Sequence, residues 1–296
     1  LEKILTNTFG NMVDGQARYS PMCNENGGTV DDLIVYKKSD NYYFIVVNAA
    51  NKDKDYKWMV NHKFGDVIFE DVSDKYAQIS LQGPEAMNIL RKITSEDNIP
   101  KKYYHAVFDT EVAGIGCIIS KTGYTGEDGV ELYVASENAE KLWNILLENG
   151  KDVGLIPCGL GARDTLRMEA AMPLYGHEMD DKITPLETGL NFAVKMEKDD
   201  FIGKSAMESK GEPKIKRVGL KVTGRGIIRE HQDVISEGEK IGSTTSGTHC
   251  PYLNYPVGMA LIKKEYAEIG RKFEVDVRGR KVEVEVVPLP FYKRGK

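Results

Sequence analysis

Cysteine is scarce in this 296-residue chain, and Cys23, Cys117, Cys158 and Cys250 never approach a CxxC spacing. That excludes the usual zinc-ligand and disulfide-framework patterns and predicts a reducing, intracellular setting with no resident metal. A strong excess of one charge is also missing. Forty basic against 45 acidic residues leave a formal net charge of −5, so the broad basic footprint of a nucleic-acid binder is absent. No apolar run approaches a membrane span; the best, Tyr42 to Val47, is strand-sized. The five histidines (His62, His105, His177, His231, His249) show no metal-ligand spacing, and no serine or cysteine stands in a nucleophile elbow. Internal repeats and low-complexity tracts are lacking as well.

What is there is ordinary globular material, 41% hydrophobic and 29% charged, at a length that predicts about two domains. The chain opens at Leu1, in what reads as a helix carrying Leu1, Ile4 and Leu5, the pattern expected of a chain whose start is missing. Next, Tyr19 to Tyr36 reads as two strands joined at Asn26-Gly27-Gly28, residues that tolerate the positive φ of a tight turn. Alternation along the second strand puts Val30, Asp32, Ile34 and Tyr36 on one face and Asp31, Leu33 and Val35 on the other. A carboxylate among Val, Ile and Tyr is costly to bury unpaired, which makes Asp32 a functional candidate. A solvated face, or a local backbone hydrogen bond to Asp32, explains the same pattern.

Beyond the hairpin, Tyr42 to Val47 reads as a third strand and Asn48 as either a turn former or a ligand contact. A helix carries Tyr56, Met59 and Val60; strands follow at Val67 to Val72 and Tyr76 to Gln82. Gly83-Pro84 opens a helix with Ala86, Ile89, Leu90 and Ile93 facing inward, and Tyr103-Tyr104-His105 begins another strand region. Strands at Gly116 to Ser120 and Val130 to Val134 bracket the loop from Thr122 to Gly129. Ser136 reads as the cap of the helix carrying Leu142, Ile145 and Leu146, with Gly150 as its stop. Gly159 to Asp164 leads into a helix where Arg163 and Arg167, four apart, share a face, and Thr184-Pro185 resembles a second helix start. Residues 207–217 turn to Lys, Glu, Gly and Pro, the composition of a domain boundary. After it come short alternating strands (Val218, Leu220, Val222; Val282, Val284, Val286) with a turn at Arg278-Gly279-Arg280, a small β-barrel or sandwich. The division is therefore 1–207 and 208–296.

Two glycine-bearing stretches invite a nucleotide reading and fail it. Gly123, Gly126 and Gly129 enclose Glu127 and Asp128, which repel phosphate, and lie between two strands. Gly159 and Gly161 lack a third glycine. His177 with Glu178, Asp180 and Asp181 reads as a solvated loop, and Arg163 with Arg167 as a salt-bridged helix face before a carboxylate clamp.

The hairpin Tyr19-Ser20-x-Met22-Cys23-x-Glu25-Asn26-Gly27-Gly28-x-x-Asp31-Asp32-Leu33 resembles that of the aminomethyltransferase (T-protein) family of the glycine cleavage system. Further matches follow in the same order: Val47 to Asn51, Leu81 to Pro84, Thr122 to Gly129, Gly159 to Glu169, Leu174-Tyr175-Gly176 and Thr245-Ser246-Gly247. They span nearly the whole chain, while the family's first quarter or fifth has no counterpart. The resemblance implies an α+β, folate-binding multi-domain disc with antiparallel sheets and flanking helices, plus a C-terminal β-barrel domain. It implies transfer of a one-carbon unit from the lipoyl arm of the H-protein to tetrahydrofolate, with no metal, no nucleic acid and no membrane involved. The place would be the cytoplasm of a bacterium or the mitochondrial matrix of a eukaryote. By position, Asp32 is the family's key carboxylate. Tyr19, Tyr36, Tyr104 and Tyr124 match folate-site tyrosines, Glu131 the acid that bonds the pterin, and Arg163 a pocket arginine. Asn48 and the tail Pro290-Phe291-Tyr292-Lys293-Arg294 complete the expected site, with Lys293 or Arg294 in the basic position.

The residue types suit that chemistry. A fixed carboxylate stabilises iminium-like positive charge, aromatic rings stack on pterin and benzoyl rings, and an acid accepts paired hydrogen bonds from ring N–H groups. Lys121 departs from the arginine many members carry there. Two related readings share the fold: a folate-dependent demethylase, and a non-catalytic folate-binding protein of iron–sulfur maintenance. The motifs at 122–129 and 159–167 favour aminomethyl transfer over the first. Gly123 before Tyr124, with no cysteine there, and the presence of Asp32 argue against the second.

Overall fold

A computed structural model describes residues 1–295 and divides the chain into two units. The sheet unit holds Phe9–Ser20 and Leu33–Gly159; the barrel unit holds Leu1–Thr8, Pro21–Asp32 and the chain from Leu160 onward. The chain crosses between them inside β1 (Ala17–Cys23) and β2 (Thr29–Ser39).

In the sheet unit β2 pairs antiparallel with β3 (Tyr42–Val46), setting Tyr36 opposite Phe44. Helix α1 (Lys52–Asn61) follows, then β4 (Tyr76–Gln82), α2 (Ala86–Arg91), β5 (Ala106–Val112), β6 (Ile115–Ser120), β7 (Gly129–Ala135) and α3 (Ala139–Gly150). Strands β4 to β7 form an antiparallel sheet in the order β4-β7-β6-β5. Its two faces are separated by the period of two. Ile119, Leu132 and Val134 pack with Leu90 of α2 and Leu142 and Leu146 of α3. Ile118 and Tyr133, on the opposite face, pack with Tyr36 and Phe44. The same alternation puts Ser120 and Glu131 beside Ile118 and Tyr133.

Several sequence expectations need correcting here. Residues 67–72 are not a strand: no neighbouring strand pairs with them, and Val67 and Ile68 stand exposed. Their β-branched composition had no edge to pair with, so propensity was overridden. Ser136 caps nothing; its hydroxyl donates to the Asp74 carbonyl at 2.8 Å while the chain makes a short 3₁₀ turn before α3. Gly150 lies within α3, and the left-handed stop comes at Gly154 (φ 80°). Leu1 to Thr6 make a single turn, with Leu5 N–H bonded to Leu1, instead of a helix.

The barrel unit contains α4 (Leu160–Glu169) and α5 (Lys204–Lys210), followed by β8 (Ile215–Val222), β9 (Asp233–Ser236), β10 (Glu239–Cys250), β11 (Tyr255–Lys263), β12 (Lys272–Val277) and β13 (Arg280–Val287). These six strands close into a barrel in the order β10-β11-β8-β13-β12-β9, which leaves no open edge. Val218, Leu220, Val222, Val275, Val282, Val284 and Val286 alternate inward to fill it. Arg278 and Gly279 turn the chain at φ 56° and 82° between β12 and β13. The Lys/Glu/Gly/Pro stretch takes in the end of α5, the link at 211–214 and the start of β8. At Thr184 there is one turn in place of a full helix. It is nonetheless closed by a capping box: Glu187 accepts the Thr184 N–H at 2.7 Å and Thr184 Oγ1 accepts the Glu187 N–H at 3.3 Å.

Candidate functional site

Within the sheet unit a buried carboxylate is surrounded by hydroxyls. Glu131 sits on the inner strand β7, flanked across the sheet by Ser80 and Ser120. Its Oε1 accepts the Gln78 amide at 2.8 Å, and its Oε2 accepts the Thr122 hydroxyl at 2.5 Å and, more distantly, that of Tyr133 at 3.5 Å. Tyr36, Tyr133, Ser120 and Thr122 complete the ring: Tyr36 lies 3.0 Å from Tyr133 and 3.2 Å from Thr122, and Ser120 donates to Tyr36 at 3.1 Å. A carboxylate offers about four acceptor positions, so Oε1, with one donor, keeps capacity for an incoming N–H. These neighbours hold Glu131 in orientation, and none of them is cationic.

The tyrosines around this acid differ in kind. Tyr36 is 0% exposed, packed in the core with its hydroxyl in the ring. Burial, with the Glu131 charge next, pushes its phenol up to about 12. Burial also raises Tyr133 well above the ordinary phenol value, with Tyr36 and Glu131 adding. Tyr104 is 44% exposed as a residue, and its phenol is raised by desolvation first and then by the Glu131 charge. Its backbone stands at φ 55°, held by Tyr104 N–H to the Lys121 carbonyl at 3.0 Å and by Ala17 N–H to its own carbonyl at 2.7 Å. Tyr19, Asn48 and Tyr124 are half-buried, the first on β1, the second just after β3, the third in the loop between β6 and β7.

That loop joins two antiparallel strands, as a hairpin loop does. Gln82 ties it down: its amide donates to the carbonyls of Thr122 and Val130, both at 3.1 Å. A Cβ on Gly123 would lie 2.1 Å from Gln82 Oε1, which accounts for the glycine before Tyr124. At the loop's far end Tyr103 donates to Asp128 at 2.8 Å, with Lys121 3.7 Å from the same carboxylate.

In the barrel unit the hairpin delivers Asp32. Its turn closes with Asn24 N–H to the Gly28 carbonyl at 2.9 Å and Gly27 at φ 80°. Strand alternation separates the two aspartates, and of the two readings left open for Asp32 the structure bears out the more solvated one. Asp31 is 0% exposed and bonds the Asp32 N–H, whereas Asp32 is half-buried.

The helix pair Arg163 and Arg167 also divides. Arg163 is exposed; Arg167 is buried, with Glu178 3.0 Å from one guanidinium nitrogen and Asp164 2.8 Å from another. Glu178, expected on a solvated loop, is fully buried and also accepts Thr245 at 2.6 Å and Ser246 at 2.7 Å. This carboxylate clamp inside the protein was not assigned from the sequence, although the three motifs at 159–169, 174–176 and 245–247 all meet there. His177 instead pairs with Glu230 at 2.8 Å. The tail is anchored by Tyr292 N–H to the Glu169 carbonyl at 2.8 Å, and Arg294, two residues on, is exposed. Among the described residues no cluster of His, Cys, Asp or Glu is placed to hold a metal ion, and no helix is long and apolar enough to cross a membrane.

Comparison with known proteins covers the whole chain. Residues 1–198 match the family described as the GCVT N-terminal domain, and residues 216–293 match the glycine cleavage T-protein C-terminal barrel domain. The chain is 48% identical to an aminomethyltransferase of Geobacillus sp. (strain WCH70), over all of this chain and 82% of that protein. It is also 48% identical to an aminomethyltransferase of Caldanaerobacter subterraneus, over all of this chain and 80% of that protein. Among solved structures, the glycine cleavage system aminomethyltransferase T of Bartonella henselae superposes with a TM-score of 0.88 at 29% identity, over 99% of this chain and 80% of that one.

Proposed function

Because this chain belongs to the glycine cleavage T-protein family of aminomethyltransferases, we propose that it moves the aminomethyl-derived carbon from the lipoyl arm of an H-protein to tetrahydrofolate. The products are 5,10-methylenetetrahydrofolate, ammonia and the dihydrolipoyl H-protein, formed in the bacterial cytoplasm. Bound tetrahydrofolate supplies the nucleophilic ring nitrogen.

The residues of each unit fit a share of that task. Glu131, with acceptor capacity left on Oε1, takes an N–H of the pterin, and the ring of hydroxyls holds it in place. One such acceptor position suits a single N–H better than the pair the family resemblance implies. Tyr104, 44% exposed and close enough to Glu131 to feel its charge, offers a stacking face. Tyr19, Tyr124 and Asn48 contribute further contacts, and Arg163 with Arg294 supplies exposed cations for the acidic end of the folate. The half-buried Asp32 stabilises positive charge developing on the transferred carbon, which a preorganised carboxylate does at little reorganisation cost.

The observation that carries this reading is the Glu131 cluster, a carboxylate buried among neutral donors in a chain 48% identical to aminomethyltransferases along its full length. Its test is turnover with aminomethyl-loaded H-protein. Ammonia and methylenetetrahydrofolate should appear together, and only when tetrahydrofolate is supplied. Folate binding without turnover would leave the non-catalytic reading in its place.

A further inference from the structure

We propose that the buried Arg167–Glu178 pair is a positioning element for the transfer reaction, fixing the backbone from Leu174 to Ile183 and, through Gly28 and Thr29, the placement of the Asp32 carboxylate. The proposal rests on the role given to Asp32 above.

The path is continuous within the barrel unit. Arg167 donates to Glu178 Oε2 at 3.0 Å, and that oxygen also accepts the Leu174 N–H at 2.9 Å. The other oxygen takes Thr245 and Ser246, and Ser246 in turn accepts from Arg167 at 2.8 Å. Every strong direction around the Glu178 carboxylate is therefore occupied. The Glu178 carbonyl accepts Thr188 Oγ1 at 2.9 Å, and Met179 closes a tight turn by accepting the Gly176 N–H at 2.7 Å. From this locked point the chain runs two residues to Asp180, whose carbonyl accepts the Thr29 N–H at 2.8 Å. The Ile183 carbonyl accepts the Thr29 hydroxyl at 2.9 Å, and the Asp181 carbonyl accepts the Asn24 side chain at 2.8 Å. Gly28 passes so close that a Cβ there would stand 1.8 Å from the Asp181 oxygen. Asp32 lies three residues beyond Thr29 on the same strand, and the side chain of Asp31 holds its N–H.

A buried ion pair is a poor source of stability compared with packed apolar residues of the same volume, but it is directional. Here it joins a helix, a barrel strand and the 174–183 segment in one orientation. A displacement on the order of 1 Å at a reacting group costs about 100-fold in rate, so small slack in this segment matters to Asp32.

The experiment compares Glu178→Gln, Asp32→Asn and the double variant in the full chain, with aminomethyl-loaded H-protein and tetrahydrofolate. Circular dichroism and urea unfolding report the folded fraction. Glu178→Gln should lower kcat per folded molecule by roughly 10- to 100-fold while the KM for tetrahydrofolate moves less than about twofold. In the Asp32→Asn background the same change should have almost no further effect on the residual rate. Multiplicative losses in the double variant, or an unchanged kcat per folded molecule in Glu178→Gln, overturn the proposal. Full activity of Asp32→Asn alone instead overturns the role of Asp32. Should Glu178→Gln fail to fold, Ser246→Ala removes one neutral donor from the carboxylate and is expected to lower kcat several-fold with the same dependence on Asp32; independence again overturns the proposal.

Discussion

Asp31 Oδ1 accepts the main-chain N–H of Asp32 at 2.9 Å, so of two adjacent carboxylates one braces the strand and the other is left to face outward. Asp31 is fully buried and Asp32 half-buried. Asp31→Ala should therefore cost stability, about 1–3 kcal/mol from the lost charged acceptor, with a small effect on turnover of the molecules that fold. Asp32→Ala should leave the unfolding midpoint nearly unchanged, lower kcat by about 100-fold or more and weaken folate binding less. Urea unfolding alongside steady-state kinetics separates the two. Equal losses of kcat per folded molecule would remove the distinction between them.

Glu131 carries a different expectation. Glu131→Gln keeps the shape and one acceptor, and the Thr122 and Tyr133 hydroxyls can reorient toward it. What it loses is the charge that strengthens a hydrogen bond from a ligand N–H. Tetrahydrofolate affinity measured by calorimetry should fall by about 10- to 100-fold, the equivalent of a charged bond's 1.5–3 kcal/mol. An unchanged Kd would place the pterin elsewhere.

Gly28 tests the seating of the hairpin without touching any charged group. The Asp181 carbonyl that a Cβ would strike is main chain and is held by Asn24. Neither side can yield cheaply. Gly28→Ala should destabilise the chain by about 2–4 kcal/mol, at the upper end for a single substitution. The urea midpoint would fall accordingly, whereas Gly176→Ala, at φ 87° with nothing near its Cβ, should cost only the smaller backbone penalty.

Much of this is legible in the amino-acid sequence. The hairpin, β4, β6, β7 and the barrel follow from period-two alternation and turn residues, which are local signals. Glu131 had such a signal as well: Val130, Leu132 and Val134 alternate with Glu131 and Tyr133, so an acid on the same face as a tyrosine was readable. What could not be read was which face each strand buries. That depends on neighbours far away in sequence, and so alternation could separate Asp31 from Asp32 without telling which of the two is buried. The Arg167–Glu178 clamp was hidden for the same reason, its members lying 11 residues apart and its hydroxyl partners 67 and 68 residues beyond Glu178.

Alkaline pH gives a test of the hydroxyl ring that needs no substrate. The Tyr36 phenol stands at about 12 in the folded protein against an ordinary 10.0, because burial and the Glu131 charge oppose ionisation. Below pH 10 both folded and unfolded chains hold this proton and there is no linkage. Between about pH 10 and 12 the unfolded chain releases it while the folded chain keeps it, so the folded state binds more protons and stability falls as pH rises. The slope from this group is on the order of 1 kcal/mol per pH unit across that window, and Tyr133, shifted in the same direction, steepens it. Urea unfolding measured from pH 8 upward should show stability beginning to fall near pH 9, where the buried thiols of Cys23, Cys117 and Cys250, all raised by burial, ionise only in the unfolded chain, and falling more steeply above about pH 10 as the tyrosines join, with phenolate absorbance of the buried tyrosines appearing only as the chain unfolds. Tyr36→Phe should start less stable at neutral pH, having lost its hydrogen bonds to Ser120, Thr122 and Tyr133, yet show a shallower alkaline decline. An unaltered decline in Tyr36→Phe would mean that this phenol is not the group being titrated.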